Sequence, residues 1–182
     1  MKSKPTIHTT KSGNEILVRE AVTSDAVSLI ACIKSYLKSN LIPLTGNEFN
    51  PSIEEQSKWI ENFLTNRNDL LLVAEYKGQV IGNIDLTAGK RRMLKHTGHL
   101  GMGIHEDWQN QGVGTILVEK LMEWIDNYSE LELLWLQVFG TNQKGIRLYK
   151  KFGFAEEGRQ PGFIKNSDGK YIDNVIMTRR KQ

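Results

Sequence analysis

Cysteine is almost absent: Cys32 is the single one in 182 residues. No intrachain disulfide can form, and nothing in the cysteine usage points to an oxidising compartment. Proline is scarce at four residues, and two of them, Pro43 and Pro51, fall with Gly46 in the irregular stretch 39–51. That loop is long enough to take part in substrate access. No apolar stretch is long enough to span a bilayer, and the opening MKSKPTIHTTKSGNE has no apolar core of signal-peptide length. The expectation is a cytoplasmic protein with no membrane partner. An excess of charge of one sign is lacking too: 24 basic residues stand against 21 acidic ones, for a net charge of +3 and a pI near 8.9. This mild balance suits an anionic ligand without calling for nucleic acid. Lys90, Arg91, Arg92 and Lys95 cluster, but no aromatic residue interleaves with them, so they read as a solvated hairpin tip. Repeats, low-complexity tracts and linkers are missing as well. What remains, 39% hydrophobic and 25% charged, is the composition of one ordinary globular domain. Residues 1–14 are polar and read as a flexible segment, with a single domain over 15–182.

The stretch LGMGIHEDWQNQGVGTILVEKLMEWIDN, residues 100–127, organises the rest. An apolar run ends at Ile104, a polar turn holds Gly112 and Gly114, and then Ile116, Leu117, Leu121, Trp124, Ile125 and Tyr128 recur at helical period. The pattern predicts strand, glycine turn, helix. Glycines at a helix start let an anion approach amides that have no partner inside the helix. The turn is therefore a candidate phosphate cradle, and a tight ligand-free connection is the plain alternative. It is not a Rossmann turn, which needs GxGxxG, nor a Walker loop, since no lysine follows Gly114.

Around this unit the chain reads as alternating elements. Ile16–Val18 is a first strand, and Thr23 or Ser24 caps a helix with a face of Ala26, Leu29, Ile30, Ile33 and Leu37. Cys32 lies beside that stripe and reads as packing. Ser52–Glu55 is a capping box for a helix carrying Trp59, Ile60, Phe63 and Leu64. Leu70–Tyr76 and Val80–Thr87 form a hairpin through Lys77–Gly78–Gln79. After the central helix, Leu133–Phe139 is a strand, and Gly140–Thr141–Asn142 leads into a helix with Ile146, Leu148, Tyr149 and Phe152 that Gly153 ends. Phe154 opens a last hairpin that turns at Asp168–Gly169. The class is α/β: a mixed sheet with helices on both faces, in which Leu100–Ile104 and Leu133–Phe139 are parallel by the crossover rule.

Two segments at this spacing resemble the GNAT superfamily of N-acetyltransferases. Gln109–Asn110–Gln111–Gly112–Val113–Gly114 fits its Q/R-x-x-G-x-G/A pattern, and NQKGIRLYKKFGF, residues 142–154, resembles N-x-x-A-x-x-L-Y-x-K-x-G-F with Gly145 in place of alanine. GKYIDNVIM, residues 169–177, is similar to the closing strand of amine- and amino-acid-acetylating branches. The resemblance implies a sheet of six to seven mostly antiparallel strands with a splayed central parallel pair. It also implies acetyl transfer from acetyl-CoA to a primary amine by direct attack in a ternary complex, without a metal. The diphosphate would lie on the amides of Gln109, Asn110, Gln111, Gly112, Val113, Gly114 and Thr115. The pantetheine arm would pair with the backbone of Gly103, Ile104 and His105, where the strands part. Asn142 would contact that arm or position the next helix.

Tyr149 is the expected general acid. A phenol with a reference pKa of about 10 stays protonated at neutral pH and can hydrogen-bond or protonate a departing thiolate. The base is left open between a water chain and a side chain at the sheet, the candidates being Glu75, Asp85, His105 and Glu106. Gln137 occupies the place where protein N-terminus acetylating branches carry a carboxylate, and it cannot serve. The acceptor walls are expected from 39–51, the strand around Asp85 and the last hairpin near Phe163. A small-molecule amine is the expected partner of a monomer or homodimer. Protein Nα- or lysine acetylation and a non-catalytic acyl-CoA-binding module stay as alternatives.

Overall fold

The computed structural model describes residues 2–181. Eight strands form one sheet in the order β1-β2-β3-β4-β5-β6-β8-β7. They are β1 (Thr6–Thr9), β2 (Glu15–Glu20), β3 (Leu70–Tyr76), β4 (Gln79–Ala88), β5 (Thr97–Ile104), β6 (Leu133–Phe139), β7 (Ala155–Lys165) and β8 (Tyr171–Arg180). The helices are α1 (Ala26–Leu37), α2 (Ile53–Thr65), α3 (Val113–Tyr128) and α4 (Gln143–Lys151). Among these residues no helix is long and apolar enough to cross a membrane.

β3 shows how the two layers form. Leu71 and Val73 join Leu29, Ile33, Ile60 and Phe63 of α1 and α2, whereas Leu70, Leu72 and Ala74 join Leu117, Leu121 and Ile125 of α3. A strand covered on both faces reads as an unbroken apolar run rather than an alternation, as LLLVA does. Leu117, Leu121 and Ile125 are fully buried. Each contributes about 1.5–3 kcal/mol by leaving water. Truncating Leu117 to alanine costs about 2–5 kcal/mol.

Local signals set the element ends. Ser52 Oγ accepts from Glu55 N–H at 3.1 Å while Glu55 Oε2 accepts from Ser52 N–H at 2.7 Å, the expected reciprocal cap. Lys77 and Gly78 both take positive φ, +49° and +80°, which fits the twist of a two-residue hairpin. Gly153 ends α4 at φ +83°.

Three expectations are corrected and one holds. Thr6–Thr9, inside the stretch read as flexible, forms a strand that pairs antiparallel with Glu15–Val18 and raises the sheet to eight. Neither Thr23 nor Ser24 caps α1. A short 3-10 turn intervenes, and Asp25 Oδ2 accepts from Val22 N–H at 2.8 Å while its carboxylate pairs with Arg19. Tyr128 and Leu64 close their apolar stripes yet stand 68% and 40% exposed, each in the last turn of its helix. Cys32 does pack as expected, and burial pushes its thiol up to about 12.

β5 and β6 are parallel for three residue pairs, from Thr97↔Leu133 to His99↔Trp135. Beyond them β5 runs on to Ile104 paired with β4 alone, while β6 pairs with β8. The two strands therefore part, and the β6-facing backbone of Leu100–Ile104 has no strand partner.

Candidate active site

The turn 109–112 delivers the chain from β5 into α3. Asn110 and Gly112 both take positive φ, +64° and +92°, and Gly112 is the N-cap. The first bond into the helix is Ile116 N–H to Gly112 C=O at 3.1 Å. Among the described residues the N–H groups of Gly112, Val113, Gly114 and Thr115 donate to nothing. Four free donors at the positive end of a sixteen-residue helix form a cradle that fits a phosphate. Gln109 and Gln111 brace the turn, donating from Nε2 to the carbonyls of Ile104 at 3.2 Å and Asp107 at 2.7 Å.

A cleft of about 530 Å³ begins at this cradle and follows the parted strands. Met102, Ile104, Gly114, Leu148 and Tyr149 line it from the α3 and α4 side, and Tyr36, Leu41 and Ile42 from the α1 side. Of the residues singled out in the sequence, Gly103, Ile104, Gln109, Asn110, Gly112, Gly114, Thr115, Asn142 and Tyr149 meet here. His105, Gln111 and Val113 do not line it. The His105 ring accepts from Asp107 N–H at 3.3 Å, Gln111 is engaged by the turn, and Val113 is buried in the core. Phe163 is 64% exposed and lines no part of the cleft, so the last hairpin supplies no wall there. A second depression, of about 550 Å³, lies over the end of α2 between Trp59 and Lys90 and holds none of the motif residues.

The two glycines of the motif do different work. A Cβ at Gly114 would stand 3.4 Å from Leu148 Cδ2 and Met102 Cε, in ordinary contact, so this glycine lies where α3 meets α4 and β5. Asn142 is the N-cap of α4, its Oδ1 accepting from Gly145 N–H at 2.9 Å. A Cβ at residue 145 would lie 2.8 Å from Asn142 Nδ2, so glycine leaves this cap its room. Of the two roles expected for Asn142, the structure displays the helix-positioning one.

Tyr149 is 7% exposed, set edge-on to Phe154 at 5.8 Å, and faces the cleft. Burial, and then the nearby Asp85 charge, push its phenol well above the usual range, so it holds its proton throughout neutral pH. Of the four base candidates, three are engaged elsewhere. Glu75 is ion-paired to Arg19 at 2.7 Å, Glu106 to Lys38 at 2.9 Å, and His105 caps its own turn. Asp85 stands on β4 opposite Gly101 of β5, and its oxygens would lie 3.1 and 3.3 Å from a Cβ there. Burial pushes its carboxyl up to about 7.

Sequence reasoning missed Tyr36, Asn83 and Lys11. Tyr36 follows Ile33 by three positions on α1, and its ring covers Gly103. Burial raises its phenol too, with Cys32 and Asp85 adding, against a hydrogen bond from Asn83. Asn83 is 2% exposed, pairs with Gly103 across the strands, and its Oδ1 has no partner among the described residues.

Fold and cleft together define an acyl-CoA-dependent transferase. The chain belongs to the acetyltransferase (GNAT) family, which it matches over residues 37–154, and this places it among acetyl-CoA-dependent N-acetyltransferases. It is 29% identical over 171 residues to the L-amino acid N-acetyltransferase AaaT of Escherichia coli, spanning 92% of this chain and 99% of that one. A GNAT acetyltransferase of Streptococcus pneumoniae superposes with a TM-score of 0.86 at 31% identity, covering 91% of this chain and 99% of the other. The yncA protein of Salmonella typhimurium, whose structure holds acetyl-CoA, shares the fold with a TM-score of 0.81 at 18% identity, over 92% of this chain and 94% of its own.

Proposed function

We propose that this enzyme moves the acetyl group of acetyl-CoA to the primary amine of a small molecule of amino-acid type. The observation that carries the reading is the continuity of one cleft from the free amides at residues 112–115 to Tyr149. The likeness to an L-amino acid acetyltransferase over nearly its whole length supports the acceptor class.

In this reading the cradle amides hold the diphosphate, and the unpaired backbone of Gly103 and Ile104 takes the amides of the pantetheine arm. An alkylammonium has a pKa of about 10.4 and must lose a proton before it attacks. Asp85, ionised above about pH 7, accepts that proton. The amine nitrogen bonds to the thioester carbonyl carbon and the carbon–sulfur bond breaks. Tyr149 gives its proton to the departing thiolate and regains one through solvent in the cleft from protonated Asp85. The acylated nitrogen sheds its second proton to solvent, so the ammonium loses two protons in all: one ends on the thiol and one in bulk water. Asn142 holds the start of α4 and with it the position of Tyr149.

Thiol release from acetyl-CoA, measured against a panel of L-amino acids, polyamines and peptides with free N-termini, tests this. Fastest turnover on an amino acid or its close analogue is the expected result. A peptide faster than every small amine would replace the acceptor class, and CoA uptake without turnover on any acceptor would leave a binding module.

A further inference from the structure

The hairpin between β1 and β2 leans on the phosphate cradle. Lys11 N–H donates to Gln111 C=O at 2.9 Å, and Ser12 Oγ donates to the Gln111 side chain. The hairpin closes on itself through Thr10 N–H to Asn14 C=O at 2.9 Å, with Gly13 at φ +84°. Tyr76 Oη reaches Asn14 Oδ1 at 3.4 Å, and the Tyr76 ring packs at a tilt against Trp108, which precedes the motif, at 4.7 Å between ring centres. These contacts fix the backbone of residue 11 against residue 111, a hundred positions away.

The Lys11 side chain then runs across Gly112. Its Cγ and Cε would lie 3.6 and 3.9 Å from a Cβ on Gly112, and Lys11 lines the same cleft as that glycine. Among the described residues it has no carboxylate partner. Lys144, the other lysine at this turn, is held by Asn110 Oδ1 at 2.8 Å on the α4 side. A lysine with no carboxylate partner is thus carried past Gly112, where the cradle begins, by a backbone that is already fixed. Its chemistry calls for an anion bridging lysine and helix end.

We propose that Lys11 is a ligand of the acetyl-CoA diphosphate, and that the N-terminal hairpin forms one wall of the cofactor site. The inference rests on the acetyl-CoA reading above and adds a residue outside both sequence motifs. Lys11 supplies a full charge where the helix end supplies a partial one, and the diphosphate sits between them.

The test compares Lys11→Gln and Lys11→Arg with wild type by calorimetry with CoA and with 3′-dephospho-CoA, and by turnover of S-acetyl-pantetheine, which has no phosphate. Lys11→Gln is expected to weaken CoA and 3′-dephospho-CoA alike, by about five- to twentyfold, and to flatten the loss of affinity with added salt. Lys11→Arg should stay within about threefold of wild type. Turnover of S-acetyl-pantetheine should be equal in wild type and Lys11→Gln. Unchanged CoA affinity in Lys11→Gln overturns the proposal. A loss confined to CoA overturns it by assigning the lysine to the ribose phosphate, and an equal loss with S-acetyl-pantetheine overturns it by reducing the hairpin to packing. Wild-type protein that takes up no CoA would instead sink the underlying reading.

Discussion

Gly103 lies directly beneath the ring of Tyr36: a Cβ built on the glycine would fall inside the van der Waals radii of Tyr36 Cδ1, Cε1 and Cζ. The contact closes the α1 side of the cleft at the place where β5 has parted from β6. Gly103→Ala must therefore push the ring aside or bend β5. The expected cost is about 1–3 kcal/mol of stability, the usual range for overpacking. Loss of turnover on the acceptor should accompany it. Denaturant unfolding and thiol release measure the two effects, and a variant with unchanged stability and rate would show that the ring moves freely. Tyr36→Leu in the same background should recover the stability, because the crowded ring is gone.

Much of this arrangement could be read from the chain before any coordinates. The central strand-turn-helix carried its periodicity, its glycines and its place in the order of elements, and Ser52 and Glu55 announced a cap from four residues. Such signals are local, so sequence holds them. β1 escaped notice because TIHT is a four-residue edge strand with Ile7 70% exposed, and its pairing with β2 leaves no apolar period. Tyr36 sat on the α1 stripe, yet nothing local says that it tops a glycine on β5. Lys11 meets the turn a hundred residues downstream. Asp85 differs from Glu75 and Glu106 only in where the fold leaves it without a cationic partner. Contacts of this kind come from the register of strands and the crossing of layers, which no window of sequence contains.

Removing the Tyr149 hydroxyl takes away the proton donor and little else, since the ring still meets Phe154. Tyr149→Phe is expected to lower kcat by about ten- to a thousandfold. CoA affinity should move little, because the cradle lies at the other end of the cleft. Single-turnover kinetics and calorimetry separate the two, and wild-type turnover in the variant would take Tyr149 out of the mechanism.

Asn142 acts on the chemistry through α4. Asn142→Ala removes the acceptor of Gly145 N–H and should cost about 0.5–2 kcal/mol, with the first turn of α4 loosened beneath Tyr149. Asn142→Asp keeps a capping oxygen and should restore both stability and kcat. If it restored stability but not kcat, the amide itself would be touching the substrates. The discriminating measurement is thermal unfolding beside kcat for both variants.

Asp85 ties activity and stability to pH in opposite senses. As the base it must be ionised, so kcat/KM rises as pH climbs through about 7 and levels off above it. Asp85→Asn should lose about 100- to 10,000-fold in kcat/KM, and with it the rising limb near neutrality. Stability runs the other way. The folded carboxyl binds its proton more tightly than the unfolded one, whose pKa is about 3.9. Between roughly pH 4 and 7 the folded state therefore holds more protons than the unfolded state, and raising pH destabilises the fold. Asp85→Asn abolishes this slope, so its melting temperature should exceed that of wild type most at pH 8 and least at pH 4. Thermal unfolding of both proteins at pH 4, 6 and 8, beside the pH profile of thiol release, measures the pair. A variant equal to wild type in melting temperature at pH 8 would mean that Asp85 is solvated like any surface carboxylate, and the case for it as the base would go with that result.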